Sequence, residues 1–288
     1  MTGSPSDARG IREVATHFDS ISSTYYGIVD VNPAGLSYYH RAELEASAGW
    51  VGRHRPERIL DAGCGPGRHT LLLAGRGGNV VSLDLSLNML SELRRATESA
   101  SKIRKPNLVH GDVRRLPFAS RSFDFIVCAE VLQHLPSAVE DGAALFSELS
   151  RVLRPGGGLM LEFPLIPHSG FRLLPWSTVP WKSIAKPELE RIAHPPLRFH
   201  HRFWLSKIER MTRAVGLSRE NRIFVRVLPS GFVHRAPSLA KADAILEKLP
   251  LARLFAFEVI LFLRKTPRGN RPRGPVQTQD STGPAHDG

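Results

Sequence analysis

The nonapeptide Ile59-Leu60-Asp61-Ala62-Gly63-Cys64-Gly65-Pro66-Gly67 decides the fold. Arg58 to Asp61 reads as a short apolar strand, the glycines turn the chain, and Arg68 to Ala74 reads as a helix. Gly63 and Gly65 permit positive φ and leave no Cβ between the backbone and an approaching ligand. The helix start that follows presents backbone N–H groups without intrahelical partners. The spacing separates two kinds of nucleotide loop. Counted from Gly63, the third glycine of a dinucleotide fingerprint falls at position 68, which here is Arg68, while the glycine stands at Gly67. Asp61 precedes the loop; a carboxylate there repels a pyrophosphate but suits a cationic group such as an α-amino group.

Outward from this loop, apolar and amphipathic stretches alternate. Val80 to Leu85 reads as a second strand, and Leu87 to Ala100 as a helix with Met89, Leu90 and Leu93 at helical spacing. Leu108 to His110 and Phe123 to Ala129 read as strands three and four. Ala138 to Leu153 reads as a helix stopped by Arg154-Pro155-Gly156-Gly157-Gly158, and Gly158 to Phe163 as strand five. This alternation predicts an α/β, doubly wound, Rossmann-like parallel sheet. In such a sheet, ligands bind beyond the carboxyl ends of the strands, where strand order reverses.

The flanks divide the rest. Residues 1–10 are small and polar and are expected to be a disordered N-terminus, and 11–56 an N-terminal helical cap broken at Asn32-Pro33. Residues 57–163 are expected to form the cofactor-binding core. Residues 164–205 carry seven prolines and three of the four tryptophans, Trp176, Trp181 and Trp204. Because tryptophan favours burial, this stretch reads as a Pro/Trp-rich lid inserted between strands five and six, lining an apolar pocket with Phe199. Residues 206–265 return to the core sheet: Ser206 to Ala214 as a helix ended by Gly216, then Asn221 to Leu228 and Phe255 to Leu263 as an antiparallel pair that completes seven strands. Residues 266–288, with four prolines and four glycines, read as a disordered tail.

Acids close four successive strands. Besides Asp61, these are Asp84, suited to ribose hydroxyls, Asp112 in Gly111-Asp112-Val113, suited to an adenine amino group, and Glu130. Leu60-Asp61-Ala62-Gly63-Cys64-Gly65-Pro66-Gly67 resembles the signature loop of class I S-adenosylmethionine-dependent methyltransferases. Val81-Ser82-Leu83-Asp84-Leu85-Ser86 with Met89-Leu90 resembles their ribose-binding strand end. Gly111-Asp112-Val113 with Leu116-Pro117-Phe118 resembles their adenine-side loop. Ser122-Phe123-Asp124-Phe125-Ile126-Val127 through His134-Leu135, and Arg151-Val152-Leu153-Arg154-Pro155-Gly156-Gly157, complete the pattern over residues 57–163. Upstream, Phe18-Asp19 followed by Tyr25 resembles the N-terminal helix of quinone-type and small-molecule members, whose tyrosine helps cover the methionine carboxylate. Tyr26 stands where those members carry an aspartate.

The resemblance implies S-adenosyl-L-methionine as cofactor, held by Asp61, Gly63, Gly65, Gly67, Asp84, Leu85, Met89, Asp112, Val113, Glu130 and Tyr25. It also implies in-line methyl transfer to an oxygen or carbon of a small-molecule acceptor. His134, His200 and His201 are the candidate bases, needed only where the acceptor loses a proton. Composition narrows the partners. The 288 residues carry 39 Lys and Arg against 27 Asp and Glu. Arg151 to Arg235 alone holds 15 basic and 5 acidic residues, a local surplus of ten. That charge suits an anionic, partly apolar acceptor, and it keeps open an RNA or protein methyltransferase on the same fold, although neither an aromatic RNP-type run nor a zinc knuckle accompanies it. An NAD(P)-dependent oxidoreductase is the third alternative, disfavoured by Asp61 and the glycine spacing. Two cysteines, Cys64 and Cys128, exclude a disulfide framework, and no metal-ligand spacing stands out. With neither a secretory h-region nor a run long enough to span a bilayer, a cytoplasmic protein is expected.

Overall fold

The structure, a computed structural model, describes residues 5–25, 36–100, 103–166, 201–227, 239–249, 254 and 256–267. Two helices come first, α1 (Pro5–Ile21) and α2 (Leu36–His54). Then strand and helix alternate: β1 (Arg58–Ala62), α3 (Arg68–Gly75), β2 (Asn79–Asp84), α4 (Leu87–Ser99), β3 (Asn107–His110), β4 (Phe123–Ala129), α5 (Glu140–Val152) and β5 (Leu153–Pro164). The chain closes with α6 (Leu205–Ala214), β6 (Leu217–Val225), α7 (Leu239–Leu246) and β7 (Glu258–Lys265). The seven strands form one sheet in the order β3-β2-β1-β4-β5-β7-β6. β1 to β5 pair in parallel, and β7 runs antiparallel between β5 and β6. The expected doubly wound sheet with an antiparallel pair at one edge is therefore present. Strand order reverses between β1 and β4, so a crevice opens beyond Ala62 and Ala129.

Both faces of the parallel strands are covered, which explains why they read as continuous apolar runs. Alternate residues divide between two layers. Leu60, Ile126, Cys128 and Leu161 pack under α5 and α6 with Leu145, Phe146, Leu149 and Ile208. Ile59, Phe125, Val127, Met160 and Ile260 pack under α2 and α3 with Trp50 and Leu73. Trp50 stacks on Phe125 with ring centroids 4.1 Å apart. Both thiols are buried and free, as small core residues.

Three boundaries differ from expectation. α1 starts at Pro5, inside the stretch expected to be a disordered N-terminus; proline fits the first helical position, where its missing N–H needs no partner. β5 begins at Leu153, because Leu153 already pairs with Phe123 before a register shift brings Gly158 beside Phe125. β6 begins at Leu217, immediately after Gly216 turns the chain at φ +80°. Asn32-Pro33, most of the expected lid (167–200, with Trp176, Trp181 and Phe199) and residues 268–288 lie outside the described residues. Trp204 is described, and it is 45% exposed. It immediately precedes α6. No described helix is long and apolar enough to cross a membrane.

Gly158 marks the tightest join between layers, since a Cβ there would lie 2.1 Å from the Trp50 ring. Gly158→Ala is expected to lower unfolding free energy by about 1–3 kcal/mol through overpacking. Urea denaturation should show a smaller loss for the same change in a Trp50→Ala background.

Candidate functional site

The glycine loop is fastened to β2 before anything binds. The Gly63 and Cys64 N–H groups both donate to the Leu83 carbonyl, at 2.7 and 3.0 Å. The Gly65 N–H donates to Asp84 Oδ2 at 2.7 Å, and the Ser86 N–H donates to Asp84 Oδ1 at 2.9 Å. The Gly111 N–H donates to the Asp84 carbonyl at 2.9 Å. Asp84 thus joins the ends of β1, β2 and β3. Burial raises its carboxyl above the ordinary range despite these bonds, and a carboxylate has lone pairs beyond the two in use.

Beside this clamp lies a hollow that is partly open to solvent. The expected residues Asp61, Gly63, Gly65, Asp84, Leu85, Met89, Asp112, Val113, Glu130 and Tyr25 line it, together with His134. At Gly65, φ is +51° and a Cβ would meet no protein atom within 4 Å, so it would project into open space. Gly67 does not line the hollow. Its φ is +100° and a Cβ would strike Leu93 at 2.1 Å, so this glycine serves the packing of α3 on α4.

Asp61 is 2% exposed. Thr70 Oγ1 donates to its Oδ2 at 2.7 Å and lies 2.7 Å from Ser82 Oγ. Burial pushes its carboxyl up to about 6, against the lowering effects of Thr70 and Arg68. Arg68, the residue that spoils a dinucleotide fingerprint, also lines the hollow. Although burial works against its charge, Glu43 and Glu130 hold the guanidinium firmly protonated. The lining therefore includes both a carboxylate and a guanidinium, the latter bonded through Nη1 to His40 and through Nη2 to Glu43. Tyr25 stands nearby; burial and the Glu130 charge push its phenol up to about 12, so it remains a donor.

Other expected residues take different partners. Asp112 reaches the hollow, but Arg114 grips its carboxylate through Nε at 3.0 Å and Nη2 at 2.8 Å, and the Arg114 N–H donates to Oδ1. Much of its accepting capacity is thereby used within its own loop, leaving less for an adenine amino group. Glu130, which also lines the hollow, sits at φ +56°, and its carboxylate lies 3.7 Å from Arg226. His134 lies in a short 3-10 turn, Leu132–His134, edge-on to Phe18 at 5.1 Å. His201 does not line the hollow; its N–H donates to the Gln133 carbonyl at 2.9 Å, which ties the approach to α6 to the turn carrying His134. His200 lies outside the described residues.

Sequence reasoning missed the wall supplied by α1. Ile11, Val14 and Phe18 line the hollow, and their spacing on a helical pattern was the available signal. Asp19 was also missed as an anchor. Its Oδ1 accepts from Ser86 Oγ and from the Asn88 N–H at 3.1 Å, and Asn88 Nδ2 donates to its carbonyl. Ser86 in turn accepts from the Met89 N–H as the cap of α4. A second missed group is the buried set Glu43, Glu162, Glu258 and His69 behind Arg68 and Glu130, assembled from four separate elements.

Residues 60–161 match the family model of a methyltransferase domain. The chain is 37% identical over 166 residues to a demethylmenaquinone methyltransferase of Beutenbergia cavernae, covering 56% of this chain and 62% of that one. It is 33% identical over 154 residues to a ubiquinone/menaquinone biosynthesis C-methyltransferase of Roseobacter denitrificans, covering 52% and 59%. The chain thus spans about three fifths of the length of these curated relatives. Among solved structures, the magnesium protoporphyrin IX methyltransferase of Synechocystis PCC 6803 with bound SAH matches with a TM-score of 0.59 at 18% identity, over 89% of this chain and 100% of that one. At that identity the likeness is one of fold.

The raised Asp61 carboxyl has a measurable consequence. Its proton is held more tightly folded (about 6) than at the ordinary value of 3.8, so stability falls as pH rises from about 4 through 6. Asp61→Asn is expected to flatten this window and to be more stable than the wild type at pH 7.5, by at most about 3 kcal/mol. Urea denaturation across pH 4–8 checks both the sign and the convergence of the two proteins in acid.

Proposed function

We propose that this protein, whose residues 60–161 match a methyltransferase-domain family, is a class I S-adenosylmethionine-dependent enzyme that transfers a methyl group from S-adenosyl-L-methionine to a carbon or oxygen of a small, partly apolar acceptor. The acceptor we favour is quinone-type. The observation that carries this reading is that buried Asp61, Arg68 and Asp84 line one hollow. A carboxylate and a guanidinium suit the amino and carboxylate groups of the methionine moiety, and Asp84 suits the ribose diol.

Bound S-adenosylmethionine supplies a methyl group already activated on a sulfonium. The residues then have three tasks. Asp61, Arg68 and Asp84 hold the donor by its two ends, and the bare backbone at Gly65 leaves it room. Ile11, Val14, Phe18, Val131 and Leu135 give the hollow an apolar side, where a ring with hydrocarbon substituents gains affinity by leaving water. Fixed placement of donor and acceptor supplies most of the acceleration in such a transfer. His134, which lines the hollow beside Phe18, accepts the proton in this reading when the acceptor must lose one.

The names of the relatives support the acceptor class: one acts on demethylmenaquinone and another belongs to ubiquinone and menaquinone biosynthesis. An oxidoreductase reading loses its ground to the methyltransferase-domain match. The basic surplus at 151–235 retains a role in attracting an anionic acceptor.

Calorimetry with S-adenosylmethionine is expected to show binding to one site, lost in Gly65→Val, whose backbone at φ +51° also lowers its urea midpoint, so binding is compared where the far-UV spectrum shows the variant folded. Affinity should fall as pH drops through about 6, as Asp61 takes up a proton. Unchanged affinity in Gly65→Val, or at pH 5, contradicts the placement. With a demethylated quinol as acceptor, His134→Ala should lower kcat by about 10²-fold or more with donor affinity intact; an unchanged kcat removes His134 from the chemistry.

A further inference from the structure

Behind the hollow, on the α2 and α3 side of the sheet, acidic residues from separate elements converge. Glu43 comes from α2, Glu130 follows β4, Glu162 lies on β5 and Glu258 opens β7. Glu43 and Glu162 are fully buried, and Glu258 nearly so. Arg68, Arg226 and, further out, Arg202 are the nearby cations. The carboxylates fall into two overlapping triads that share Glu43: Glu43, Glu130 and Glu258 in one, and Glu43, His69 and Glu162 in the other. Within each triad the facing ligand atoms lie within 4.8 Å of one another.

The first triad already has a cation. Arg226 pairs with Glu258 and reaches Glu130 at 3.7 Å and Glu43 at 3.8 Å. The second differs. Arg68 Nη2 lies 2.8 Å from Glu43 Oε2, but among the described residues no donor reaches either oxygen of Glu162 or the Nε2 of His69. The tautomer of His69 follows from its other nitrogen. Ser47 Oγ lies 3.0 Å from the Leu44 carbonyl and 3.3 Å from His69 Nδ1. With the hydroxyl proton on the carbonyl, Nδ1 donates to Ser47 Oγ and Nε2 presents a lone pair. Burial and the Arg68 charge push the imidazole down to about 3, which keeps it neutral. Three acceptors, two of them fully buried and unpartnered, thus point at one another.

We propose that Glu43, His69 and Glu162 form a binding site for a first-row divalent cation, with Zn²⁺ the best match to one imidazole and two carboxylates. This inference does not rest on the methyl-transfer reading. Zinc takes His nitrogen and carboxylate oxygen ligands, and three protein ligands leave a coordination position open. Mixed nitrogen and oxygen donors favour zinc over magnesium or calcium, which prefer oxygen alone. The Ser47 contact to Nδ1 is the outer bond that fixes the ring of a ligating histidine. His69 also lines the hollow, so the cation reaches its ligands through the same mouth. A cation there satisfies the acceptors that the protein itself leaves without a donor, and it offsets the cost of burying Glu162 as an anion.

The full chain, stripped with a chelator and dialysed, is titrated with Zn²⁺ against a competing chromophoric chelator, with Mg²⁺ as control. Expected are about one equivalent of Zn²⁺ per chain, a higher melting temperature with the metal, and no saturable Mg²⁺ binding. Glu162→Gln and His69→Gln should each abolish the saturable binding. Ser47→Ala keeps every ligand and should weaken Zn²⁺ affinity by about 10–100-fold, which keeps the test decisive if a ligand variant fails to fold. Absence of stoichiometric binding overturns the proposal. So does Zn²⁺ affinity in Glu162→Gln or Ser47→Ala equal to that of the wild type, which would mark the binding as adventitious coordination by other histidines.

Discussion

The carboxylate of Asp84 holds the site together. It accepts from Gly65 in the loop after β1 and from Ser86 at the start of α4, while its own carbonyl takes the N–H of Gly111 after β3. Three loops are thereby set at one height beyond the sheet, and Asp19 extends the network to α1 through Ser86 and Asn88. Each neighbour gains its place from this arrangement. Asp61 ends the strand that leads into the clamped loop, Arg68 begins the helix that leaves it, and Phe18 hangs from the helix anchored by Asp19. A hydrogen bond to a charged acceptor contributes more than one between neutral groups, and here it does so where a ligand would also need that acceptor. Structure and recognition share one side chain.

Buried charge is the second organising constraint. Desolvation raises Asp61 and Asp84, whereas Glu43 is held well below the ordinary range because Arg68 and His40 overcome the effect of burial. Burial also raises Glu162, and Glu258 to about 8. The protein therefore keeps several acids in an unfavourable state on one edge of its sheet. Such groups weaken the folded state where no cation pairs with them. The left-handed backbone at Glu130, a residue with a full side chain, belongs to the same pattern of local cost at the strand ends.

Much of this was legible in the sequence, and the reasons are specific. Parallel strands buried on both faces read as apolar runs, so Ile59-Leu60 and Phe125-Ile126-Val127-Cys128 announced the sheet. Glycines needing left-handed backbone announced the loop, and acids at strand ends announced its neighbours. What escaped was non-local. Arg114 gripping Asp112 lies two residues away, but nothing in the spacing distinguishes it from the other arginines nearby. Glu43, His69 and Glu162 come from α2, α3 and β5 and meet only when the sheet is folded. Gly67 looked like part of the ligand loop because its neighbours are, while its actual constraint is Leu93, 26 residues further along the chain. Pro5 misled in the other direction: small polar residues suggested disorder, but proline at the first position and an acid in the first turn also start a helix.

A crystal structure of the full chain with S-adenosylhomocysteine tests the central claim most directly. The account predicts a ligand in the crevice between the β1 and β4 ends, its ribose hydroxyls bonded to Asp84, its amino group on Asp61 and its carboxylate facing Arg68. A ligand bound elsewhere, or one lying in the hollow with none of these three side chains in hydrogen-bond reach, contradicts it.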